Sequence, residues 1–264
     1  MIVGIYEKIK GEAGQETKTR FIECLERYGI GYVLLSEKYE RCDLLAVFGG
    51  DGTVLTAVSF ALENDTPILA INTGTVGFLT SFERAEFDLA AKTIRDGKLR
   101  FSERTVLETS FGGEKSLALN DVVVERTGLS ESYAVIAKLE VEIGENPVYS
   151  LSSDGVLVAT PTGSTAYSLS AGGVILDPDI DSFILTPICS HAFGTRPIVF
   201  PDRKEVKVRM LPSSGACVLT IDGKPLYKLS AGDEIVVRKY GKKLRLAERS
   251  DGNFYKRLRQ KITY

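Results

Sequence analysis

Residues 46–53 read Ala46-Val47-Phe48-Gly49-Gly50-Asp51-Gly52-Thr53, an apolar strand that runs into a glycine-rich turn and then a helix start. Gly49, Gly50 and Gly52 lack a Cβ, so the turn can take unusual backbone angles and lets a ligand approach the main chain. Free N–H groups of the following helix point at that ligand, and the helix dipole favours an anion. Gly49, Gly50, Gly52 and Thr53 therefore form a candidate phosphate loop. Asp51 is its informative residue. A carboxylate beside an anion site costs electrostatic energy unless it holds a metal, accepts a proton from an attacking hydroxyl, or caps the helix. The plain alternative makes Asp51 or Thr53 an N-cap and the glycines a tight turn. The loop is not a Walker A sequence, because no Gly-Lys-Ser/Thr follows. Nor is it the fingerprint G-x-G-x-x-G, because Leu55 stands where the third glycine belongs.

Outward from this loop, strand and helix signals alternate. Residues 2–6, 32–35, 44–48 and 67–71 read as short apolar strands. Residues 16–28 predict a helix with Phe21, Leu25 and Tyr28 on one face and Gly29 as its stop. A second helix is expected over 53–62 and a third over 83–95, with Thr80 and Glu83 at capping-box spacing and Gly97 following. Repeated βα units imply a parallel sheet covered by helices. Further on, strand-like runs dominate, at 105–111, 116–125, 133–143, 155–159, 182–186, 205–211, 216–221 and 234–238. Turn signals such as Gly112-Gly113 and Asp222-Gly223 separate them. The tail 253–262 carries a helical stripe of Phe254, Leu258 and Ile262. The expected organisation is an α/β domain over 1–100, with a C-terminal helix in 250–264 packing back on it, and a β-rich, sandwich-like domain over 101–249.

Composition narrows the function classes. Hydrophobic residues make up 44% and charged residues 26% of the 264, an ordinary globular balance. Lys and Arg number 33 against 35 Asp and Glu, so there is no global basic field and nucleic acid is not an expected partner. Cys24, Cys42, Cys189 and Cys217 form no CxxC pair, and His191 is the sole imidazole, which disfavours a zinc site. Such cysteine usage points to a reducing, cytoplasmic compartment. Residues 1–10 read as a strand entering a polar loop rather than a signal peptide. No apolar run approaches the ~18–20 residues of a membrane helix, so a soluble protein without membrane association is expected.

A second unusual stretch runs from Asp154 through Thr160-Pro161-Thr162-Gly163-Ser164-Thr165-Ala166-Tyr167-Ser168-Leu169-Ser170-Ala171-Gly172-Gly173. Small residues permit close backbone approach, hydroxyls can donate to phosphate or ribose oxygens, and Tyr167 can stack on a base. Asp154 can accept from an amide or a ribose hydroxyl. The plain alternative is a Ser/Thr-rich turn capping a short helix. Upstream, Asn120-Asp121 precedes the apolar run 122–124; Asn suits an adenine edge and Asp suits ribose hydroxyls, although a simple turn before a strand fits as well.

Together and in this order, these three elements resemble the NAD kinase family over essentially the whole chain. The glycine–aspartate loop by itself also resembles loops of phosphofructokinases and of diacylglycerol or sphingosine kinases; the run 160–173 is far more specific. The resemblance implies transfer of the terminal phosphoryl group of ATP, or in some members polyphosphate, to the adenosine-ribose 2′-hydroxyl of NAD. Carried onto this chain, Asp51 matches the aspartate proposed to accept the hydroxyl proton, and Gly52 contacts the dinucleotide. Asn120 and Asp121 match the pair holding the adenosine part. Asp154, Thr165, Ala166, Tyr167, Ser168, Leu169 and Ser170 match further NAD contacts. The resemblance also implies a divalent metal ion, Mg2+, used with ATP, for which no protein ligand is identified, and assembly as a homo-oligomer, a dimer or tetramer. Two positions depart from the bacterial pattern: Ser152, where a basic residue is common, and Lys224, where Gln is common. Both bear on the preference between NAD and NADH.

Other readings are weaker. His191 could serve a Ser-His-Asp hydrolase, but G-x-S-x-G is absent. The basic tail, with Arg238, Lys239, Lys242, Lys243, Arg245, Lys256, Arg257, Arg259 and Lys261, is expected to be a solvated face or a surface attracting ATP or polyphosphate. A lipid or sugar kinase and a non-catalytic dinucleotide sensor are the competing functions.

Overall fold

The computed structural model describes residues 1–6, 12–35, 41–74, 77–127, 136–249 and 252–262. The chain divides into two compact units, Met1–Arg104 with Leu244–Tyr264, and Thr105–Lys243. This division lies a few residues from the expected 100 and 249. The strands Arg100–Arg104 and Leu244–Glu248, which do not stand out in the sequence, pair with each other in the first unit's sheet.

That sheet has seven strands in the order Gly31–Leu35, Ile2–Tyr6, Leu44–Phe48, Ile68–Asn72, Leu244–Glu248, Arg100–Arg104, with the short Phe82–Glu83 also on Ile68–Asn72. Pairing is parallel except between Leu244–Glu248 and Arg100–Arg104. Leu44–Phe48 and Ile68–Asn72 are buried at every residue, as strands covered on both faces must be. On one face Leu44, Ala46, Phe48, Leu69 and Ile71 pack with Phe21 and Leu25 of the helix Glu12–Arg27 and with Phe87, Ala90 and Ile94 of the helix Phe87–Arg95. The alternate residues Leu45, Val47, Ile68 and Ala70 are equally buried, and the helix Asp51–Glu63 buries Val54, Ala57, Val58, Ala61 and Leu62. Phe21 anchors the first face edge-on to Phe48 at 5.3 Å and to Phe87 at 5.5 Å. Its helix closes as expected at Gly29, with the Ile30 N–H on the Leu25 carbonyl and the Gly29 N–H on that of Glu26.

The capping box lies one turn later than expected. Phe82–Glu83 is extended because it pairs with Ile71 and Asn72. Glu83 and Glu86 then form the box across the 3-10 turn Arg84–Glu86, and the helix proper starts at Phe87. Thr80 is buried instead, its carbonyl accepting from Arg257.

The second unit contains two six-stranded antiparallel sheets. One runs Asn146–Ser153, Ala137–Ile143, Val206–Met210, Glu234–Lys239, Leu107–Phe111, Glu114–Ala118; the other Ile198–Pro201, Ser182–Ile188, Gly155–Ala159, Asp121–Arg126, Cys217–Ile221, Lys224–Leu229. Their inner faces share one core, with Leu139, Val141, Val208 and Val237 from the first and Val124, Val158, Phe183 and Leu219 from the second. The unit is thus a sandwich. The second sheet's outer face is covered too, where Val123, Leu157, Ala159 and Ile188 pack against Ala171. The run 116–125, read as one strand, breaks at Leu119 and Asn120, whose N–H groups bond the Asp222 carboxylate instead of a neighbouring strand. The expected strand start at 133 lies outside the described residues, as does the polar loop at 7–10.

Phe21 is fully buried within the aromatic triad. Phe21→Ala is expected to lower unfolding free energy by about 3–5 kcal/mol, read as a lower midpoint in urea with unchanged m.

Candidate active site

The strand order of the first unit reverses between Ile2–Tyr6 and Leu44–Phe48, so the carboxyl end of Leu44–Phe48 lies at a topological switch point. Open parallel sheets bind ligands there. The loop Gly49–Gly52 begins at this place. Gly49 has φ +150°, and a Cβ on it would overlap the Thr53 side chain. Gly50 is the N-cap, extended at φ −87° and ψ −174°, and the helix begins at Asp51. Neither Asp51 nor Thr53 is therefore the cap. Cβ atoms on Gly50 or Gly52 would meet nothing within 4 Å, so the fold itself does not require glycine there.

Asp51, half-buried, reaches across to the segment following Ile68–Asn72. Its Oδ2 accepts the Phe78 N–H at 2.8 Å and its Oδ1 the Leu79 N–H at 3.0 Å. Gly77 makes this possible, because a Cβ there would overlap Asp51 Oδ1. An ionised carboxylate offers about four lone-pair positions. Two are used here, so the acid is held in a fixed orientation with acceptor capacity left over. Phe78 and Leu79 did not emerge from the sequence, although Asn72-Thr73-Gly74 is a second glycine-bearing turn after a buried parallel strand, the same signal that marked Gly49.

In the second unit, Asn120 and Asp121 sit where the sheet strand begins. The Asp222 carboxylate takes the N–H groups of Leu119 at 2.8 Å, Asn120 at 2.7 Å and Asp121 at 3.1 Å. The Asn120 carbonyl accepts the Thr160 N–H, and a Cβ on Gly163 would overlap that carbonyl. This backbone is locked, while the carboxamide of Asn120 and the carboxyl of Asp121 have no hydrogen-bond partner among the described residues. Asp121 is 4% exposed, and its carboxyl is pushed up to about 7 by burial and by the neighbouring charges of Asp222 and Glu125. Asp222, read from sequence only as a hairpin turn residue, is the missed organiser of this corner.

The run 160–173 folds onto the second sheet as the 3-10 turn Thr162–Thr165 and the short helix Tyr167–Ser170. Its hydroxyls divide into two groups. Thr160 Oγ1 donates to Leu119 O at 2.6 Å, Ser164 Oγ bonds Leu176, and Ser168 Oγ pairs with Thr186 Oγ1 at 3.0 Å. All three residues are fully buried, so these hydroxyls build the turn rather than face a ligand. Thr165 and Ala166 are half-buried, and Tyr167, Leu169 and Ser170 are exposed. The Tyr167 hydroxyl donates to Glu125 Oε2 at 3.2 Å, and burial, reinforced by the Glu125 charge, pushes it up to about 12. Asp154 pairs with Arg126 Nε at 2.7 Å. Glu125 and Arg126, charged residues ending an apolar strand, are the sequence signal that was missed.

Elsewhere, His191 is exposed with its N–H on the Ser152 carbonyl. Several basic-tail residues are committed to ion pairs, Arg238 with Glu108, Arg245 with Asp65 and Arg257 with Glu248. Among the described residues no group of three His, Cys, Asp or Glu side chains is placed to hold a metal ion.

A switch-point loop whose acid is oriented by backbone amides, in a chain whose Asn120 carboxamide and Asp121 carboxyl lack partners among the described residues, fits a phosphotransferase. Comparison with known proteins makes this specific. A family model described as ATP-NAD kinase N-terminal domain matches residues 7–99, and one described as ATP-NAD kinase C-terminal domain matches 119–248. The chain belongs to the NAD kinase family. It is 37% identical over 233 residues to an NAD kinase of Carboxydothermus hydrogenoformans, covering 86% of this chain and 82% of that one. It is 34% identical over 265 residues to an NAD kinase of Caldicellulosiruptor saccharolyticus, covering 99% of each. Among solved structures, yeast NADH kinase complexed with NADH matches with a TM-score of 0.85 and 27% identity, covering 100% of this chain and 87% of that one. An Archaeoglobus fulgidus NAD kinase in complex with ATP matches with a TM-score of 0.78 and 26% identity, covering 100% and 98%.

The raised Asp121 carboxyl links stability to pH. Its ordinary value is 3.8 and its folded value about 7. Between them the folded state holds a proton that the unfolded chain has lost, so stability contributed below pH 4 is lost as pH rises toward 7. Asp121→Asn is expected to be more stable than the parent at pH 8 relative to pH 4.5, by about 2–4 kcal/mol in urea titrations. Parallel curves for the two proteins would refute the assignment.

Proposed function

We infer that the protein transfers the terminal phosphoryl group of ATP to the 2′-hydroxyl of the adenosine ribose of NAD, giving NADP and ADP. The observation that carries this is Asp51, fixed by two backbone amides with acceptor capacity to spare. The relatives named NAD kinase and the neighbours bound to NADH and to ATP support the same reading. Asp51 takes the 2′-hydroxyl proton, the ribose oxygen bonds to the terminal phosphorus, and the bond to the bridging oxygen of ADP breaks. Gly49, Gly50, Gly52 and Thr53 receive phosphate groups at the helix start. Asn120 offers its carboxamide to the adenosine part, and Asp121 offers its carboxyl to ribose hydroxyls. Tyr167, Leu169 and Ser170 present the exposed edge of the second constellation, with Thr165, Ala166 and Asp154 beside it. Ser168, fully buried with its hydroxyl on Thr186 and its carbonyl accepting the Gly173 N–H, supports this edge from beneath. A divalent metal such as Mg2+, bound with ATP, would supply charge neutralisation at the phosphoryl oxygens, and no described residues form a ligand set for it.

Three cysteines are buried, all four are free, and no described helix is long and apolar enough to cross a membrane. We take the cytoplasm as its compartment on the cysteine usage. Homo-oligomeric assembly, as a dimer or tetramer, rests on the family resemblance.

Coupled assays crossing ATP and polyphosphate with NAD and NADH are expected to show NADP formation from ATP and NAD with Mg2+. Asp51→Asn is expected to lose most turnover, by roughly 100-fold or more, while still binding NAD in calorimetry. Full turnover in that variant would remove the base role. Gly52→Ala, whose Cβ meets nothing in the fold, is expected to keep the parent Tm but raise the KM for NAD or ATP.

A further inference from the structure

The C-terminal helix Phe254–Ile262 grips the segment that holds Asp51. Phe254, Arg257 and Lys261 lie at helical spacing on one face. Phe254 packs on the Phe78 ring at 6.3 Å, and Lys261 Nζ sits 4.7 Å from the same ring's centroid. Arg257 Nη1 donates to the Phe78 carbonyl at 3.0 Å and to the Thr80 carbonyl at 3.2 Å. Its Nη2 donates to Glu248 Oε1 at 3.2 Å, an oxygen also bonded by Arg104 at 2.9 Å. The arginine side chain is 14% exposed, so its bonds are only weakly screened.

The Phe78 carbonyl and the Leu79 N–H belong to one peptide group. Arg257 holds that group by its oxygen, and Asp51 Oδ1 accepts from its nitrogen. A cation on the carbonyl polarises the peptide and strengthens the N–H as a donor, and it also prevents the peptide plane from turning away. We propose that Arg257 is a positioning residue for phosphoryl transfer, fixing Asp51 through the Phe78–Leu79 peptide without touching substrate. This rests on the reading of Asp51 as the base.

A positioning role affects turnover more than binding, because a small misplacement of the base harms the reacting geometry and leaves ground-state contacts in place. Arg257→Ala is expected to lower kcat roughly 10- to 100-fold. The KM values for NAD and ATP should change by less than about threefold. Arg257 lines an open cleft of about 250 Å³ with Asn72, Glu86, Asn253 and Gln260. Guanidinium ion at low millimolar concentration is therefore expected to restore part of the lost kcat in that variant and to do nothing for the parent. Arg257→Lys keeps the charge and, with it, the fold, and should show an intermediate kcat with unchanged KM. Parent-like kcat in Arg257→Lys and Arg257→Ala, or a loss confined to KM, would overturn the proposal. So would a kcat loss that guanidinium leaves untouched while Arg257→Lys recovers nothing. Asp51→Asn in the same assay separates the two readings. Full turnover there removes the base role itself, whereas an inactive Asp51→Asn beside a fully active Arg257→Lys and Arg257→Ala removes only the positioning role.

Discussion

One buried carboxylate, that of Asp222, takes three consecutive backbone N–H groups, from Leu119, Asn120 and Asp121. Those N–H groups would otherwise continue a β-ladder. Supplying them with a side-chain acceptor ends one strand of the sandwich and starts another in a neighbouring sheet. Burial works against the charge and pushes the Asp222 carboxyl up, while the three amides pull it back down. The corner stays fixed because removing any of these partners would strand a buried polar group. That geometry gives this corner a locked Asn120 main chain, a carboxamide with no partner among the described residues, and a buried carboxyl at Asp121. The turn at 160–163 then seats against the same main chain through Thr160 and Gly163.

The first unit uses the same device with a different outcome. Asp51 also accepts from consecutive amides, yet it takes two rather than three and remains half-buried. Asp222 has three of its roughly four acceptor positions taken by backbone amides, whereas Asp51 has two taken. The contrast fits Asp222 to architecture and is consistent with the base role proposed for Asp51.

The alternation of short apolar strands with helices was legible because buried parallel strands such as 44–48 are continuous apolar runs, and Gly29 stops its helix locally. The sandwich strands with inward and outward alternation, such as Ala137–Ile143, were legible for the same kind of reason. Strands Asn146–Ser153, Lys224–Leu229 and Arg100–Arg104 were not, since they are largely polar or carry proline and owe their form to neighbouring strands. At the site, residue type left Asp51, Asn120 and Asp121 open between turn and ligand roles, and the family resemblance nominated them. The partners that orient them, Phe78, Leu79 and Asp222, act through main-chain bonds or across about 100 residues of chain. Nothing in a local pattern encodes those. The serine and threonine run misled in part for a related reason: a hydroxyl's composition is visible, but whether it faces Thr186 or a ligand is decided by packing.

The objection to an acid beside a phosphate loop is electrostatic, and its resolution is local. Asp51 is the first residue of the helix Asp51–Glu63, where the dipole presents its positive end and favours an anion by about 0.3–1 kcal/mol. Two amide donors add charge-assisted bonds, and one of those amides belongs to a peptide whose carbonyl is itself held by the Arg257 guanidinium. The carboxylate therefore faces donors that the protein itself supplies. Gly50 and Gly52 leave open space beside an acid whose orientation the two amides fix. An acid that only capped the helix would turn its oxygens back on the helix's own amides. This one is turned toward a separate segment, and that segment is held in place by the far end of the chain.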